Sequence, residues 1–216
     1  NSRNYVRHET AVVPGISRQA FETGTLQNIQ SRRVLTYLDG IGREMQQVEV
    51  SQSPSGKDIV NFQEYDAFGR QPRSYLPYST EILPGGYKIS AIEDQQNFYA
   101  TGTDWEFTDF AYDEKTFEDA PSGKVIRDAF AGETWKTGNH NVHYNYRSNY
   151  ANEVRLFRFD PTTSGWKGTS WYSAGALQVV ETTDENDNTH LVYVDNKGRT
   201  VLEKHPRKIA SGEEEK

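Results

Sequence analysis

The chain has 216 residues, a formal net charge of -7 and no cysteine, which allows one large or two small domains with a buried core. The lack of cysteine excludes disulfide frameworks and thiolate zinc sites. An acidic balance without basic clusters argues against a nucleic-acid partner, and no apolar run is long enough for a membrane span. Thirteen Tyr, ten Phe and an excess of Val over Leu favour half-buried strands. We therefore expect a mainly β protein, an antiparallel sheet built of hairpins, with little helix.

Two short helices are predicted. The first covers Ser17–Phe21, and the second covers Ser90–Tyr99, where Glu93 follows Ser90 by three residues as in a capping box. Neither segment is long, so helix should remain a minor component of the fold.

Three segments repeat one motif, at 37–43, 65–70 and 193–199. Each contains Asp-x-x-Gly-Arg with a Tyr one or two residues ahead of the Asp. Asp at the first position of a type I turn accepts hydrogen bonds from the following backbone, and Gly at the fourth position adopts the left-handed conformation. We predict that each segment closes a hairpin. The turn-forming residues are Asp39, Gly42, Arg43, Asp66, Gly69, Arg70, Asp195, Gly198 and Arg199.

Alternation of apolar and polar residues predicts further strands in the second half of the chain. They are Asp104–Tyr112, His143–Tyr146, Glu153–Phe159, Ala176–Thr182, Thr189–Val194 and Thr200–Lys204. Residues 1–206 are predicted to form a single β-rich domain, and 207–216 a flexible charged tail.

The sequence predicts no metal or cofactor site. The Asp and Asn residues of 184–188 resemble a calcium loop, but the loop's glycine and its closing Glu are missing, so an ordinary hairpin turn is favoured. His140 and His143 would lie on opposite faces of a strand, which does not suit a shared metal ion.

No catalytic constellation is recognisable either. The chain has no Gly-x-Ser-x-Gly elbow. Glu106, Glu133 and Glu153 lie near aromatic residues, but the sequence does not pair any two of them. We expect no enzymatic activity.

The tryptophans suggest a second function. Trp166 and Trp171 occupy a stretch rich in Gly, Ser and Thr that is predicted to be a loop, where flat rings could stack on sugars. The alternative is that Trp and Tyr fill a core that is short of Leu. Trp166 and Trp171 are therefore candidate carbohydrate-binding residues.

The repeated turns resemble the YD repeats of bacterial RHS proteins. The run from Tyr37 through Arg70 to Tyr78 resembles the domain that precedes those repeats in many surface-associated and secreted RHS proteins. Further similar segments follow in the same order, and the resemblance covers nearly the whole chain. They are Asn4–Arg7, Ser53–Val60, Gln96–Tyr99, Gly132–Trp135, Asn149–Val154 and Tyr172–Leu177. The chain departs from the pattern at 118–125, where Pro precedes Ser and Gly-Lys follows.

This resemblance implies a structural role. YD repeats form strands of a sheet that spirals into a hollow shell, which in some relatives holds a cargo polypeptide. A domain ahead of the shell would supply strands or a docking face to it. The expected partners are the rest of an RHS/YD-repeat polypeptide or a cargo segment, with a glycan as the alternative. The expected location is the cell surface or the exterior, although the first residues do not form a signal peptide.

Overall fold

The computed structural model describes residues 3–24, 26, 30–102 and 106–206. Strands make up 41% and helices 9% of the structure, so the prediction of a mainly β, antiparallel fold with little helix is confirmed. The chain divides into two compact units. The first contains residues 1–115 and 130–136, and the second contains 116–129 and 137–216.

The first unit is built on an antiparallel sheet of five strands in the order β1-β2-β3-β4-β6, and β5 pairs antiparallel with β7. The division between the units falls within β7. In chain order the elements are β1 (Tyr5–Ala11), α1 (Arg18–Thr23), β2 (Ser31–Leu38), β3 (Glu44–Glu49), β4 (Asp58–Phe62), β5 (Arg73–Tyr75), β6 (Tyr78–Thr80), α2 (Ala91–Thr101) and β7 (Tyr112–Phe117).

Alternate residues of the central strands form the core of this unit. Leu35 and Tyr37 of β2 are buried together with Val48 of β3 and with Val60 and Phe62 of β4. Successive side chains of a strand point to opposite faces, so this spacing of two places all five on one face of the sheet. The core also includes Val50, Tyr75, Tyr78 and Ala91.

A buried ion pair holds the segment before α2 on the sheet. Lys88 Nζ lies 2.9 Å from Asp58 Oδ2, and both side chains are 1% exposed. The same Asp58 oxygen accepts the N–H of Gly85, and Lys88 also donates to the carbonyl of Leu83. Gln46 joins the network, because its side-chain amide exchanges two hydrogen bonds with the backbone of Lys88. Every charge in the network is therefore compensated by a partner.

The second unit contains strands in the order β14-β13-β12-β9-β8, with each of these neighbours antiparallel, and a separate two-stranded ribbon of β10 and β11. The elements are β8 (Val125–Ala129), β9 (Val142–Ser148), β10 (Arg155–Asp160), β11 (Gly165–Trp171), β12 (Gln178–Thr183), β13 (Thr189–Val194) and β14 (Thr200–Lys204).

This unit has a core of its own. Val179 of β12 and Leu191 and Tyr193 of β13 are buried with Val154 and Leu177. The single domain over 1–206 stays a prediction from the sequence; each of the two compact units has its own cluster of buried residues. The predicted tail at 207–216 lies outside the described residues.

The predicted helices correspond to α1 and α2, but one predicted strand is shifted along the chain. The strand expected at Asp104–Tyr112 begins only at Tyr112, and residues 106–111 are irregular. The Thr108 side-chain oxygen accepts the N–H of Phe110, a local bond that competes with strand pairing. Residues 103–105 lie outside the described residues. Neither α1 nor α2 has the length and apolar character that a bilayer span requires.

Replacing Asp58 with Ala should lower the free energy of unfolding by about 3–5 kcal/mol, because the Lys88 ammonium would stay buried without its counter-charge. Urea unfolding followed by tyrosine and tryptophan fluorescence measures the change. The control is Glu22→Ala, which removes the exposed Arg18–Glu22 pair and should change stability by about 0.5 kcal/mol or less. Equal losses for the two variants would contradict the assigned role of the buried pair.

Candidate functional site

The first Asp-x-x-Gly-Arg turn is closed by one carboxylate. Asp39 Oδ1 accepts the backbone N–H of Ile41 at 3.0 Å and that of Arg43 at 2.9 Å, while Oδ2 accepts Arg43 Nε at 2.7 Å. The backbone adds two further bonds, from Gly42 N–H to Asp39 O and from Asp39 N–H to Arg43 O. Gly42 has φ +87°, which a residue with a side chain rarely adopts. The motif therefore encodes a complete hydrogen-bonded turn.

The other two copies repeat this arrangement. Asp66 accepts the N–H groups of Phe68 and Arg70 at 2.9 Å each and Arg70 Nε at 2.7 Å. Asp195 accepts two backbone N–H groups at 2.9 and 3.0 Å and Arg199 Nε at 2.8 Å. In all three copies, therefore, the Asp accepts the hydrogen bonds, the Arg donates to it, and the Gly adopts a positive φ.

The Arg of the motif makes contacts both within its own turn and, in one case, with another copy. Each Arg pairs with the Asp of its own turn. In addition, the Arg43 guanidinium lies 4.2 Å from the ring centroid of Tyr65, the Tyr of the second copy. Tyr65 in turn donates its hydroxyl to the carbonyl of Glu44. The first two turns are therefore neighbours in space, linked by a cation–π contact.

The second turn does not close a regular hairpin, which corrects the prediction at 65–70. The turns at 37–43 and 193–199 join the paired strands β2–β3 and β13–β14. The turn at 65–70 instead connects β4 with β5, which pair with other strands and share only the bridge Gln63↔Ser74. The local motif specifies a chain reversal, but strand pairing depends on more distant contacts.

Two more turns of the same design lack the motif. Ser53 accepts the N–H of Lys57 through its hydroxyl, and the backbone bonds of the motif recur between Ser53, Gly56 and Lys57. Asp184 accepts the N–H groups of Asn186 and Asn188 and the side-chain amide of Asn188. The sequence signal for these two turns is a Ser or Asp followed four positions later by a polar residue, as in Ser53 with Lys57 and Asp184 with Asn188. The carboxylate of the calcium-like segment is thus engaged within its own turn.

Electrostatics keeps these carboxylates ionised. The hydrogen bond from the Arg199 guanidinium, with backbone N–H donors, lowers the pKa of Asp195 to about 2. The corresponding bond from Arg43 lowers the pKa of Asp39. Both groups therefore remain acceptors throughout the neutral range.

Two of the turns present apolar tips. Ile41 and Phe68 occupy the same position of the first and second turns and are 78% and 83% exposed. Lys197 holds this position in the third turn. The two turns that carry these residues are linked by the contact between Arg43 and Tyr65, and we call the two exposed tips, Ile41 and Phe68, the tip face.

Strand β14 lies at the edge of its sheet. Within the described part of the chain it pairs only with β13, over the register Leu191↔Lys204 to Val194↔Thr200. Val201 and Leu202 pack against the core of the second unit while remaining half-buried. The outer backbone groups of such a strand are available to a further strand.

Trp166 and Trp171 lie on strand β11 rather than in the predicted loop. Trp166 is 73% exposed and meets Phe159 edge to face, with ring centroids 5.6 Å apart and planes at 68°. Trp171 is stacked under the Arg155 guanidinium at 4.1 Å. Trp166 is thus the most exposed of several aromatic side chains on the ribbon, which also exposes Phe157, Phe159 and Trp171.

Of the three glutamates considered as catalytic candidates, Glu153 lies beside the core of the second unit, and Glu106 and Glu133 lie at a surface cavity of the first. Glu153 accepts hydrogen bonds from Arg147, from the N–H of Tyr150 and from the buried Tyr193 hydroxyl, and the bond from Arg147 lowers the pKa of Glu153 to about 2. Glu153 therefore has a structural role, because it links the core residue Tyr193 to Arg147. Glu106 and Glu133 line one surface cavity of about 280 Å³, where Glu133 is paired with Lys136.

The fold and the recurring turns define a β protein of antiparallel hairpins. Residues 10–148 match the family described as a domain of unknown function, DUF6443, and the chain belongs to this family. The match includes the first two Asp-x-x-Gly-Arg turns and ends at β9. No curated protein and no solved structure is significantly similar to the chain.

Replacing Gly198 with Val should destabilise the second unit by about 1–2 kcal/mol, the usual cost of the left-handed conformation. Gly198 has φ +75°, and a Cβ atom added there would meet no other atom within 4 Å, so the cost is conformational rather than steric. Thermal unfolding measures it.

The matched variant is Gly198→Asn, which should lose less, because Asn tolerates this conformation and the equivalent Asp187 adopts φ 60°. Unfolding midpoints that are identical for Val, Asn and the parent chain would contradict the turn analysis.

Proposed function

We propose that this chain is a non-catalytic structural and interaction domain at the amino-terminal side of an RHS/YD-repeat surface or secreted protein. It supplies β-strands or a docking face to a repeat shell. Its partners are the rest of such a polypeptide or a cargo segment. The proposal combines the resemblance of the turns with the geometry of the two units.

The observation that carries the proposal is the position of β14. The third Asp-x-x-Gly-Arg turn directs β14 to the edge of its sheet, where it has one neighbour among the described strands. A following repeat would reach this edge by the same kind of turn. Edge strands accept added strands through backbone hydrogen bonds.

The composition of β14 also supports strand addition. Val201 and Leu202 are only partly covered by the second core, so a further strand would remove apolar surface from water. The strand ends on the charged residues Glu203 and Lys204, which discourage unspecific pairing at an edge.

The tip face supports docking on the first unit. Contiguous exposed apolar surface marks contact sites, and Ile41 and Phe68 would contribute apolar side chains to such a surface on the first unit. Ile41 and Phe68 are presented on turns whose backbone is fixed by carboxylate hydrogen bonds, so little conformational entropy would be lost when a partner covers them.

The test is a lengthened chain in which residues 189–204 are duplicated directly after residue 206. The added hairpin should pair with β14, and amide hydrogen exchange of Thr200–Lys204 should slow at least tenfold, about the effect of 1.4 kcal/mol of added local stability. Mass spectrometry of peptic fragments resolves this segment.

The control carries a scrambled copy of the same sixteen residues, which has equal composition but no Asp-x-x-Gly-Arg turn. Exchange in this control should match the parent chain. If the authentic copy leaves exchange at β14 unchanged, or the scrambled copy slows it equally, β14 is not a template for a following repeat.

The exposure of Trp166 supports carbohydrate binding as a second candidate function. An exposed indole can stack on a sugar ring. The parent chain should then be retained on columns of chitin, cellulose or peptidoglycan, and Trp166→Ala should not. Phe68→Ala, which removes an exposed aromatic ring from the other unit, is the control. Passage of the parent chain through all three columns would exclude this function for those polymers.

A further inference from the structure

Three side chains on neighbouring strands of the second unit have the chemistry of a metal site. His190 lies on β13, Glu203 lies on β14, and His205 directly follows β14. One potential ligand atom from each residue lies within 4.8 Å of the other two. None of these three residues belongs to an Asp-x-x-Gly-Arg turn.

The register of β13 and β14 explains why the three residues meet. Leu191 pairs with Lys204, so the next position of the ladder sets His190 opposite His205. Their rings are parallel, with centroids 4.2 Å apart and planes at 5°. Glu203 precedes His205 by two residues and therefore points to the same face.

This face is opposite to the core of the unit. Leu191 and Tyr193 alternate with His190 along β13 and are buried in the second core, so His190 projects from the other side of the sheet. Glu203 and His205 are exposed there. A metal ion can thus reach the cluster without disturbing the core.

The contacts of His190 leave a ligand position open. Within the described part of the chain its Nε2 atom is shielded from solvent and has no hydrogen-bond partner, and it lies 3.9 Å from Glu203 Oε2. Unpartnered shielded nitrogen atoms are costly. A metal ion placed between the two atoms would satisfy both at once.

The distances suit a small divalent ion. Zinc binds imidazole nitrogen and carboxylate oxygen at about 2.0–2.2 Å, which places tetrahedral ligand atoms roughly 3.4 Å apart. The ligand atoms would have to move closer by about 1 Å. Because a metal ion lies in the plane of each imidazole that binds it, one of the two parallel rings would also turn about its side-chain torsions. Two imidazoles and a carboxylate favour zinc and similar borderline ions over calcium or magnesium, which prefer oxygen ligands.

We propose that His190, Glu203 and His205 bind a zinc ion that ties β14 to β13, with water in the remaining coordination position. Zinc binding would stabilise the outermost described strand of this sheet. The proposal does not depend on the repeat-shell function.

The test uses the chain without a histidine tag, first treated with EDTA and then dialysed. Calorimetric titration with zinc chloride should show one equivalent bound, and zinc should raise the midpoint of thermal unfolding. Calcium and magnesium chloride should cause neither effect. Cobalt chloride should give the intense visible absorption bands of a four-coordinate site, which distinguish it from the six-coordinate aqueous ion.

Variants separate the cluster from the other histidines. His205→Gln should weaken zinc binding at least tenfold, and His190→Gln with His205→Gln should abolish it. The matched control is His140→Gln with His143→Gln, two exposed histidines of the same unit, which should bind zinc like the parent. Circular dichroism in EDTA verifies that each variant is folded.

The site is refuted if the parent chain binds no zinc, if binding survives in the His190 and His205 double variant, or if it is lost in the His140 and His143 control. Because hydrogen exchange at β14 in the lengthened chain is measured in EDTA, failure of the zinc site and failure of strand addition give different results.

Discussion

The hydrogen bonds between an Asp side chain and the backbone that follows it determine much of this structure. In each Asp-x-x-Gly-Arg turn one carboxylate binds two backbone N–H groups and the guanidinium four residues on. These bonds hold the chain reversal through contacts within five residues of sequence. A charged donor and acceptor strengthen such bonds, and the low pKa of Asp195 shows that the folded turn favours the charged carboxylate. The same device recurs with Ser53 and Asp184.

The sequence predicts what is local in this fold and misses what is distant. The turn residues, the fold class and both helices follow from short patterns. The pairing after the second turn does not, because β4 pairs with β3 and β6, while β5 pairs with β7. The strand predicted from alternation ahead of Tyr112 is not formed at residues 106–111. There the Thr108 side-chain oxygen accepts the N–H of Phe110, a local bond that competes with strand pairing. Alternation indicates a packed face but does not identify the strand that will pair.

The histidine cluster shows the same limit, because it depends on strand register rather than on a short sequence pattern. His190 and His205 are fifteen positions apart and resemble no ligand motif. The register of a single ladder brings them face to face. Such a site could be found from sequence only after the hairpin around Asp195 had been aligned residue by residue.

The two proposals for β14 use different groups of the same strand. Strand addition involves backbone N–H and C=O groups in the plane of the sheet, whereas a metal ion bound by His190, Glu203 and His205 acts on side chains that project from its face. One therefore does not block the other. A metal ion that restrains β14 would lower the conformational entropy still to be lost when another strand is added. The chemistry of this edge thus favours a template that is ordered before its partner arrives, and the degree of that order would depend on zinc.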